Sequence, residues 1–354
     1  MLLADVRRAL RRHAMIPRGS RVLVACSGGP DSTALLLVLA RLAPEHGFTV
    51  VAASVDHGLR DAASREIDTL AELCERLGVL HLRAAVDVAG ARDVAPRTQR
   101  STQAVARTLR YRALFHVALA HDCTRIAVGH TMDDQAETVL QRVLRGAGIA
   151  GLAAMRPVRA DGVVRPLLAV RRSAVRAFLA ATRTSSAHDP SNDDRRYQRV
   201  RLRTDVLPRL EREDPRVVEH LAALAEEAAA VSADEAARAA AVASACLLPD
   251  ADDPCEPDAD TAVADPPPRR WRIDATGLAA APTGVRAAAV GLLLLRILGR
   301  PCRARWVQSI VALAAPGGHG EVPLPGWTLR RRRGGERWIS VEPGTPVVRP
   351  SKLD

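Results

Sequence analysis

Residues 22–32 read VLVACSGGPDS, an apolar run that ends abruptly in a loop of small and polar residues. The run predicts a buried strand over 22–26, and the sequence after it predicts a helix from Asp31 to Leu42. A glycine-rich loop between a strand and the N-terminus of a helix typically binds phosphate. This loop has no Gly-Lys-Ser/Thr ending and no third spaced glycine, so it is neither a Walker-type loop nor a dinucleotide fingerprint.

Strands and helices alternate along the first part of the chain. The expected strands are residues 22–26, 48–56, 80–86 and 125–130, and the expected helices are residues 1–14, 31–42, 62–77, 101–120 and 132–144. This alternation predicts an α/β fold in which helices cover both faces of a parallel sheet. Ligands of such sheets bind at the carboxyl ends of the strands. SGGPDS (27–32), VDHGLR (55–60) and GHTMDD (129–134) all stand there, so we expect them to form one site.

The charge of the chain favours a nucleic-acid partner. The 354 residues carry a formal net charge of +11, and Lys352 is the single lysine beside many arginines. Such an excess favours an anionic partner, nucleic acid first, although solvated basic faces are the alternative interpretation. Because no internal lysine is present, Schiff-base chemistry and a lysine phosphate clamp are excluded.

Cysteine usage and hydropathy indicate a cytoplasmic protein. The six cysteines include no C-x-x-C pair, which is typical of reduced cysteines inside the cell. We expect no signal peptide, because residues 1–14 predict a charged amphipathic helix. We expect no membrane span, because LLLLRIL (292–298) is too short for one.

The chain length predicts two domains. We place the first at 1–210, a helical connector at 211–248, and an acidic, proline-rich linker at 249–268 that we expect to be disordered. A small, mainly helical domain follows at 269–345, with helices at 284–298 and 303–314 and a short pair of strands. With 47% hydrophobic residues, the chain can bury a sizeable core.

The SGGPDS loop has the chemistry to bind an anion and a cation together. Backbone N–H groups and the hydroxyls of Ser27 and Ser32 stand at a helix N-terminus, an arrangement that binds phosphate. Asp31 repels phosphate unless a divalent cation lies between the two groups, which indicates Mg²⁺. The alternative is an ordinary turn in which Asp31 only offsets the helix dipole.

The stretch GHTMDDQAET (129–138) predicts a helix with clustered acids in its first turns. Glu137 lies three residues after Asp134 and four after Asp133, so one face of that helix presents clustered carboxylates. Such a cluster beside His130 suits Mg²⁺ or the amine of a cationic substrate. The alternative is that the acids only offset the helix dipole.

Two arginine-rich stretches are candidates for RNA contacts. Residues 106–112 (ARTLRYR) place arginines on a helix, and residues 195–203 (RRYQRVRLR) carry five more beside Tyr197. Arginines interleaved with an aromatic side chain suit contacts to RNA phosphates and stacking on bases. A solvated basic face is the alternative for the first stretch. The VDHGLR stretch (55–60) supplies two further candidate site residues, Asp56 and His57. An ordinary turn is the alternative interpretation of this stretch.

Together these stretches resemble the bacterial tRNA(Ile)-lysidine synthetases, a family of N-type ATP pyrophosphatases. The matching stretches are SGGPDS (27–32), VDHGLR (55–60), GHTMDDQAETVLQRVLRGAGIAGLAAM (129–155), RPLL (165–168), DPSN (189–192) and RVRLR (199–203). The resemblance covers residues 20–210 well and the terminal domain less specifically. It implies an adenine nucleotide alpha hydrolase-like, Rossmann-like catalytic domain and a smaller, mainly helical substrate-binding domain.

The resemblance also implies a reaction. Enzymes of this family use ATP to adenylate the wobble cytidine of tRNA(Ile) with a CAU anticodon, and pyrophosphate leaves. Free L-lysine then displaces AMP to give lysidine. The implied cofactors are ATP and Mg²⁺, and the implied partners are tRNA(Ile) and lysine. The oligomeric state is open, with a homodimer as one option.

Each matching residue receives an expected role from this resemblance. The residues expected to bind ATP are Ser27, Gly28, Gly29, Pro30, Asp31, Ser32, Asp56, His57, Arg60, Gly129 and His130. Those expected to act in catalysis are Asp31, Asp133, Asp134, Glu137, Arg110 and Arg199, with Asp31 and Asp134 as the Mg²⁺ ligands. One carboxylate or His130 is expected to accept a proton from the lysine amine.

Three other functions are alternatives to this one. A tRNA thiolase of the same superfamily usually needs cysteines, often as the C-x-x-C pair that this sequence lacks. A pyrophosphatase acting on a small metabolite, such as an NAD synthetase, needs neither the basic stretches nor a terminal domain. A non-catalytic RNA-binding protein has no reason to retain an acidic face beside polyanionic RNA.

Overall fold

The computed structural model describes residues 1–56, 62–88, 90–91, 102–187, 194–249, 270–334 and 336–344. His57, Arg60 and the DPSN stretch lie outside the described residues, as does the linker expected at 249–268 except for Pro249. The chain divides into two compact units, Met1–Ala229 and Ala230–Asp354.

The first unit is built on a parallel sheet, which confirms the predicted α/β fold. Its strands are β1 (Arg21–Ala25), β2 (Thr49–Asp56), β3 (Leu80–Ala85), β4 (Cys123–Ala127) and β5 (Val163–Val164). They are ordered β3-β2-β1-β4-β5, and each neighbouring pair is parallel. The order reverses between β1 and β4, which is where ligands of such sheets bind.

Helices connect these strands and continue beyond them. They are α1 (Leu2–Arg12), α2 (Pro30–His46), α3 (Ala62–Arg76), α4 (Thr102–Ala120), α5 (Met132–Val143), α6 (Ile149–Leu152), α7 (Arg172–Ala181), α8 (Gln198–Arg201), α9 (Leu207–Glu213) and α10 (Val217–Cys246). A π-helical turn, Leu202–Val206, joins α8 to α9. In the described part of the chain, none of the helices combines the length and the hydropathy that a membrane span requires.

The central strand β1 faces two separate cores. Val22 and Val24 pack into the core that α1, α2, α3 and α7 share, whereas Leu23 packs into the core that α4 covers. All three side chains are fully buried. A strand buried on both faces reads as a continuous apolar run, which explains why VLVAC was recognisable in the sequence.

The second unit combines helices with an antiparallel sheet. Its strands are β6 (Leu247–Pro249), β7 (Trp271–Asp274), β8 (Gly320–Leu324), β9 (Trp327–Arg331) and β10 (Trp338–Pro343), in the order β6-β7-β10-β9-β8. Its helices are α11 (Ala275–Ala280), α12 (Thr283–Leu298) and α13 (Ala304–Ala314). The sheet is therefore larger than the expected strand pair. Strands as short as β6 and β7 show no periodicity, and their pairing depends on residues far along the chain.

Packing on α4 gives a direct test of the fold. Leu114 is 1% exposed in the core between α4 and the sheet, whereas Leu119 on the same helix is 80% exposed. We expect Leu114→Ala to lower the free energy of unfolding by about 2–5 kcal/mol, because it removes buried methyl groups and leaves a cavity. The matched control Leu119→Ala is expected to change it by less than about 0.5 kcal/mol. Urea unfolding measures both, and equal effects of the two variants would contradict this packing.

Candidate functional site

The loop 27–32 joins β1 to α2 and leaves the start of that helix uncapped. Gly28 has a φ of 78°, a conformation that favours glycine. The Ser32 hydroxyl accepts the Ser27 N–H at 3.1 Å and donates to the Gly29 carbonyl at 3.0 Å. Pro30 is the first residue of α2, and no side chain caps the first turn. The first N–H groups of α2 can therefore bind an anion.

Gly129 places the end of β4 directly against this loop. A Cβ atom on Gly129 would lie 3.0 Å from the Asp31 carbonyl carbon and 3.0 Å from the Ser32 nitrogen. Such distances are shorter than ordinary van der Waals contacts. Only glycine thus lets the GHT segment (129–131) approach the first turn of α2 so closely. Two of the three sequence motifs meet here, as expected.

Asp31 lies at the start of α2 with little to compensate its charge. Its Oδ1 atom is buried without a hydrogen-bond partner, and Oδ2 lies 3.9 Å from Arg172 Nε. Burial, followed by the charge of Asp134, raises the pKa of Asp31 from 3.8 to about 6. A carboxylate oxygen without a partner is the donor that a divalent cation prefers, so Asp31 fits a Mg²⁺ ion. Within the described residues, however, no three His, Cys, Asp or Glu side chains are grouped as a metal site.

Asp134 is buried at the start of α5 and is already fully hydrogen-bonded. Thr131 is the N-cap of this helix, and Asp134 Oδ2 accepts its backbone N–H at 2.8 Å and its hydroxyl at 2.9 Å. Oδ1 accepts from Arg172 at 2.9 Å and from Arg199 at 2.7 Å. Burial acts to raise the pKa of Asp134, but Arg199, Arg172 and the Thr131 N–H outweigh it and lower the pKa to about 2. Asp134 therefore stays ionised.

Glu137 and Asp133 also have arginine partners. Glu137 is fully buried and accepts hydrogen bonds at 2.8–3.2 Å from Arg172, Arg199 and Arg203. Asp133 accepts the backbone N–H of Arg172 at 2.7 Å, at the start of α7, and lies 3.6 Å from Arg171 Nε. The sequence predicted an acidic face open to Mg²⁺ or an amine. The structure shows a buried ion-pair network instead, because arginines distant in sequence converge on these acids.

The arginines of 195–203 divide between this network and the surface. Arg199, which was expected to act in catalysis, and Arg203, which was a candidate for RNA contacts, both face the buried acids. Arg195 and Arg196 are exposed and pair with Asp205 and Asp194. Arg172, the most buried arginine of the network, was missed. It lies four residues after the end of RPLL (165–168), and its role depends on contacts that no local pattern reveals.

His130 is neutral and does not fit the role of a base. Its Nδ1 accepts a hydrogen bond from Arg165 Nε at 3.2 Å. Burial is the main reason that the pKa of His130 falls from 6.5 to about 3, and Arg165 contributes. At neutral pH, His130 carries no imidazolium proton to release as an acid, and its unprotonated nitrogen, Nδ1, already accepts the hydrogen bond from Arg165. A carboxylate is left as the candidate base.

The structure describes two further residues that the sequence assigned to the site, Asp56 and Arg110. Asp56 ends β2, and its carbonyl accepts the Val86 N–H at 2.8 Å. Arg110 is half-buried on α4, where burial lowers its pKa, and Arg199 is among the charges that act on it. Arg110 and Arg199 thus approach the site from different elements. The contribution of VDHGLR beyond Asp56 lies outside the described residues.

Comparisons with known proteins place this site in context. A model of the PP-loop domain matches residues 3–210. The tRNA(Ile)-lysidine synthase of Thermobifida fusca is 36% identical over 345 residues, covering 95% of this chain and 96% of that protein. The protein of the same name from Salinispora tropica is 36% identical over 355 residues, covering 98% of each. The similarity therefore extends over nearly the whole chain and is not confined to the loop 27–32.

One solved structure is similar in fold. The U34-tRNA thiolase NcsA from Methanococcus maripaludis has a TM-score of 0.54 and 19% identity, covering 64% of this chain and 76% of that chain. At this identity the likeness concerns the fold alone. That thiolase was solved with an iron–sulfur cluster, whereas no three His, Cys, Asp or Glu side chains are grouped as a metal site in the described part of this chain.

The raised pKa of Asp31 predicts a pH-dependent stability. Since its folded pKa of about 6 exceeds 3.8, its contribution is favourable below about pH 4 and is lost as the pH rises through 6. Asp31→Asn removes the ionisation, so its free energy of unfolding should exceed that of the wild type by up to about 3 kcal/mol at pH 8. The difference should vanish below about pH 4. Denaturant titrations across this range measure it, and parallel pH profiles would contradict the assignment.

The close approach of Gly129 predicts an asymmetry between two glycine substitutions. Gly129→Ala should lower the free energy of unfolding by about 1–3 kcal/mol and weaken ATP binding, because the new Cβ meets the backbone of α2. Gly148→Ala is the matched control, since its Cβ meets nothing within 4 Å. Thermal unfolding and ATP titration of both variants check this. An ATP affinity of Gly129→Ala equal to that of the wild type would contradict a role for this close approach in ATP binding.

Proposed function

This chain belongs to the tRNA(Ile)-lysidine synthase family of PP-loop proteins, and from that premise we propose how its residues carry out the reaction. It is a ligase that uses ATP to modify tRNA(Ile). We propose that the wobble cytidine of the CAU anticodon attacks the α-phosphate of ATP through its carbonyl oxygen. Free L-lysine then attacks the adenylated carbon, and AMP leaves. The observation that carries this proposal is the meeting of the loop 27–32 with a buried acid–arginine network at the carboxyl ends of β1 and β4.

The first step requires a site for the leaving pyrophosphate. The uncapped N–H groups at the start of α2 and the hydroxyls of Ser27 and Ser32 would hold it. These donors are fixed before the reaction and stabilise the charge that develops on the leaving group. Asp31 would hold Mg²⁺, which supplies further charge neutralisation when bound. Asp56, at the end of the neighbouring strand β2, would lie on the adenosine side.

The second step requires a site for the lysine ammonium. Asp134 and Glu137 supply negative charge, but arginines occupy their oxygens, so the ammonium has to replace a guanidinium. Arg199 is the best candidate to give way, because its side chain is 41% exposed against 31% for Arg203 and 13% for Arg172. Once displaced, Arg199 would be free to neutralise the phosphate of the adenylate. A carboxylate of the network would accept the proton that the attacking amine loses.

Incorporation of labelled lysine tests this function directly. We expect transfer of lysine to tRNA(Ile) with a CAU anticodon, dependent on ATP and Mg²⁺, with one pyrophosphate released per lysine. An isoleucine tRNA with G as its first anticodon base is the matched control, since it offers no cytidine at that position. Pyrophosphate release on another substrate, with no transfer of lysine, would contradict the proposal.

A conservative change in Asp134 separates the two steps. In Asp134→Asn the amide oxygen can still cap α5, but the charge that would attract the lysine ammonium is lost. We expect the KM for lysine to rise by about tenfold or more, while adenylation of the tRNA without lysine persists. Asp68→Asn, at an exposed position on α3 paired with Arg83, is the control. Loss of adenylation with an unchanged KM for lysine would show that Asp134 serves the first step instead.

A further inference from the structure

A second group of arginines surrounds Tyr111 and has no part in the acid network. The guanidinium carbons of Arg107, Arg110 and Arg159 lie 5.1, 5.8 and 5.3 Å from the centre of the Tyr111 ring. Arg165 is close enough for the tyrosine to influence its electrostatics. We call these five residues the Tyr111 cluster. They come from α4 and from the segment around β5.

The positive charge of the Tyr111 cluster is largely uncompensated. In the described part of the chain, no carboxylate lies within ion-pair distance of Arg107, Arg110 or Arg165, whereas Arg159 pairs with Asp161. Arg165 is only 4% exposed, yet its hydrogen bonds go to uncharged acceptors, His130 Nδ1 and the Arg156 carbonyl. Burying a charge without a partner of opposite sign is costly. Burial correspondingly lowers the pKa of both Arg110 and Arg165.

The hydroxyl of Tyr111 is a further unused donor in the cluster. Its oxygen is buried and has no hydrogen-bond partner. Buried tyrosine hydroxyls are normally hydrogen-bonded, so one without a partner among guanidinium groups indicates a site for an acceptor with negative charge. Guanidinium groups bind phosphate with matching geometry. A phosphate group therefore satisfies both the hydroxyl and the uncompensated arginines.

The position of the cluster in the sheet distinguishes between possible phosphates. Arg165 directly follows β5, which pairs with β4 at the opposite edge of the sheet from β2 and β3. The proposed function puts the adenosine on the β2 side and the pyrophosphate at the loop after β1. The two cluster arginines from this segment, Arg159 and Arg165, therefore lie across β4 from the adenosine side, on the side left for the acceptor of AMP. Arg107, Arg110 and Tyr111 reach them from α4, which covers β2 as well as β4. The acceptor of AMP is RNA.

We propose that the Tyr111 cluster binds a backbone phosphodiester of the RNA substrate beside the cytidine that is modified. This assignment rests on the proposed function and deepens it. Arg107 and Arg159 supply accessible positive charge, and Arg165 supplies a buried positive charge. The Tyr111 hydroxyl donates a hydrogen bond to a phosphate oxygen. The subsite fixes the position of the anticodon loop, so the cytidine carbonyl can reach the α-phosphate of ATP.

The experiment pairs one arginine with one phosphate. A set of tRNA(Ile) molecules is prepared, each with a single neutral methylphosphonate linkage in the anticodon loop, and binding to the full chain is measured by fluorescence anisotropy. With tRNA that carries no methylphosphonate, we expect Arg107→Ala to weaken binding about tenfold. The slope of log affinity against log salt concentration should fall in magnitude by about 1. Arg112→Ala is the matched control, because it removes the same charge from an exposed position on the same helix.

One linkage should identify the partner of Arg107. Neutralising it should weaken binding to the wild type and to Arg112→Ala by about tenfold, but should not further weaken binding to Arg107→Ala. Tyr111→Phe should raise the KM for tRNA several-fold with an unchanged KM for ATP. The proposal is overturned if no linkage couples to Arg107, or if the variants raise the KM for ATP alone. A wild type that neither binds tRNA nor transfers lysine would instead refute the proposed function.

Discussion

One guanidinium, that of Arg172, connects the two halves of the site. It reaches Asp31 at the start of α2 and both Asp134 and Glu137 on α5, while the backbone N–H of Arg172 donates a hydrogen bond to the Asp133 carboxylate. A buried charge of this kind is stable only when opposite charges surround it, so the arginine and the acids have to fold together. The position of the phosphate loop relative to the acidic helix depends on this arrangement. Because Asp134 stays ionised and both of its carboxylate oxygens are paired, the proposed exchange of one cation for another in this network would leave no bare charge buried.

The site separates positive and negative charge along one edge of the sheet, at the carboxyl ends of its strands. The acidic network lies at β1 and β4, whereas the largely uncompensated Tyr111 cluster is formed by α4 and the segment around β5, and neutral His130 accepts a hydrogen bond from its Arg165. A reaction that brings together a cationic amine and a polyanionic RNA needs both kinds of surface. Burial strengthens the electrostatic field of each surface, so under the proposed function lysine and RNA would be directed to different parts of this edge of the sheet.

Local sequence patterns predicted the parallel sheet and the loop 27–32, because each depends on neighbouring residues. The alternation of strands and helices also predicted that this loop meets the GHT segment (129–131). The partners of the acids were not predictable in this way. Arg172 is 35 residues from Glu137, and Arg203 is 66 residues away. The neutrality of His130 also escaped prediction, since burial, which sequence does not display, lowers its pKa. The short strands β5, β6 and β7 depend on their partners rather than on their own periodicity.

Under the proposed function, AMP is transferred to the carbonyl oxygen of the wobble cytidine before lysine attacks. The most direct measurement uses tRNA(Ile) with ¹⁸O at that carbonyl, incubated with the protein, ATP, Mg²⁺ and lysine, followed by mass spectrometry of the AMP released. Because lysine displaces the oxygen together with the adenylate, we predict one ¹⁸O atom in each AMP and none left on the modified base. Unlabelled AMP, with ¹⁸O retained in the tRNA, would contradict the account.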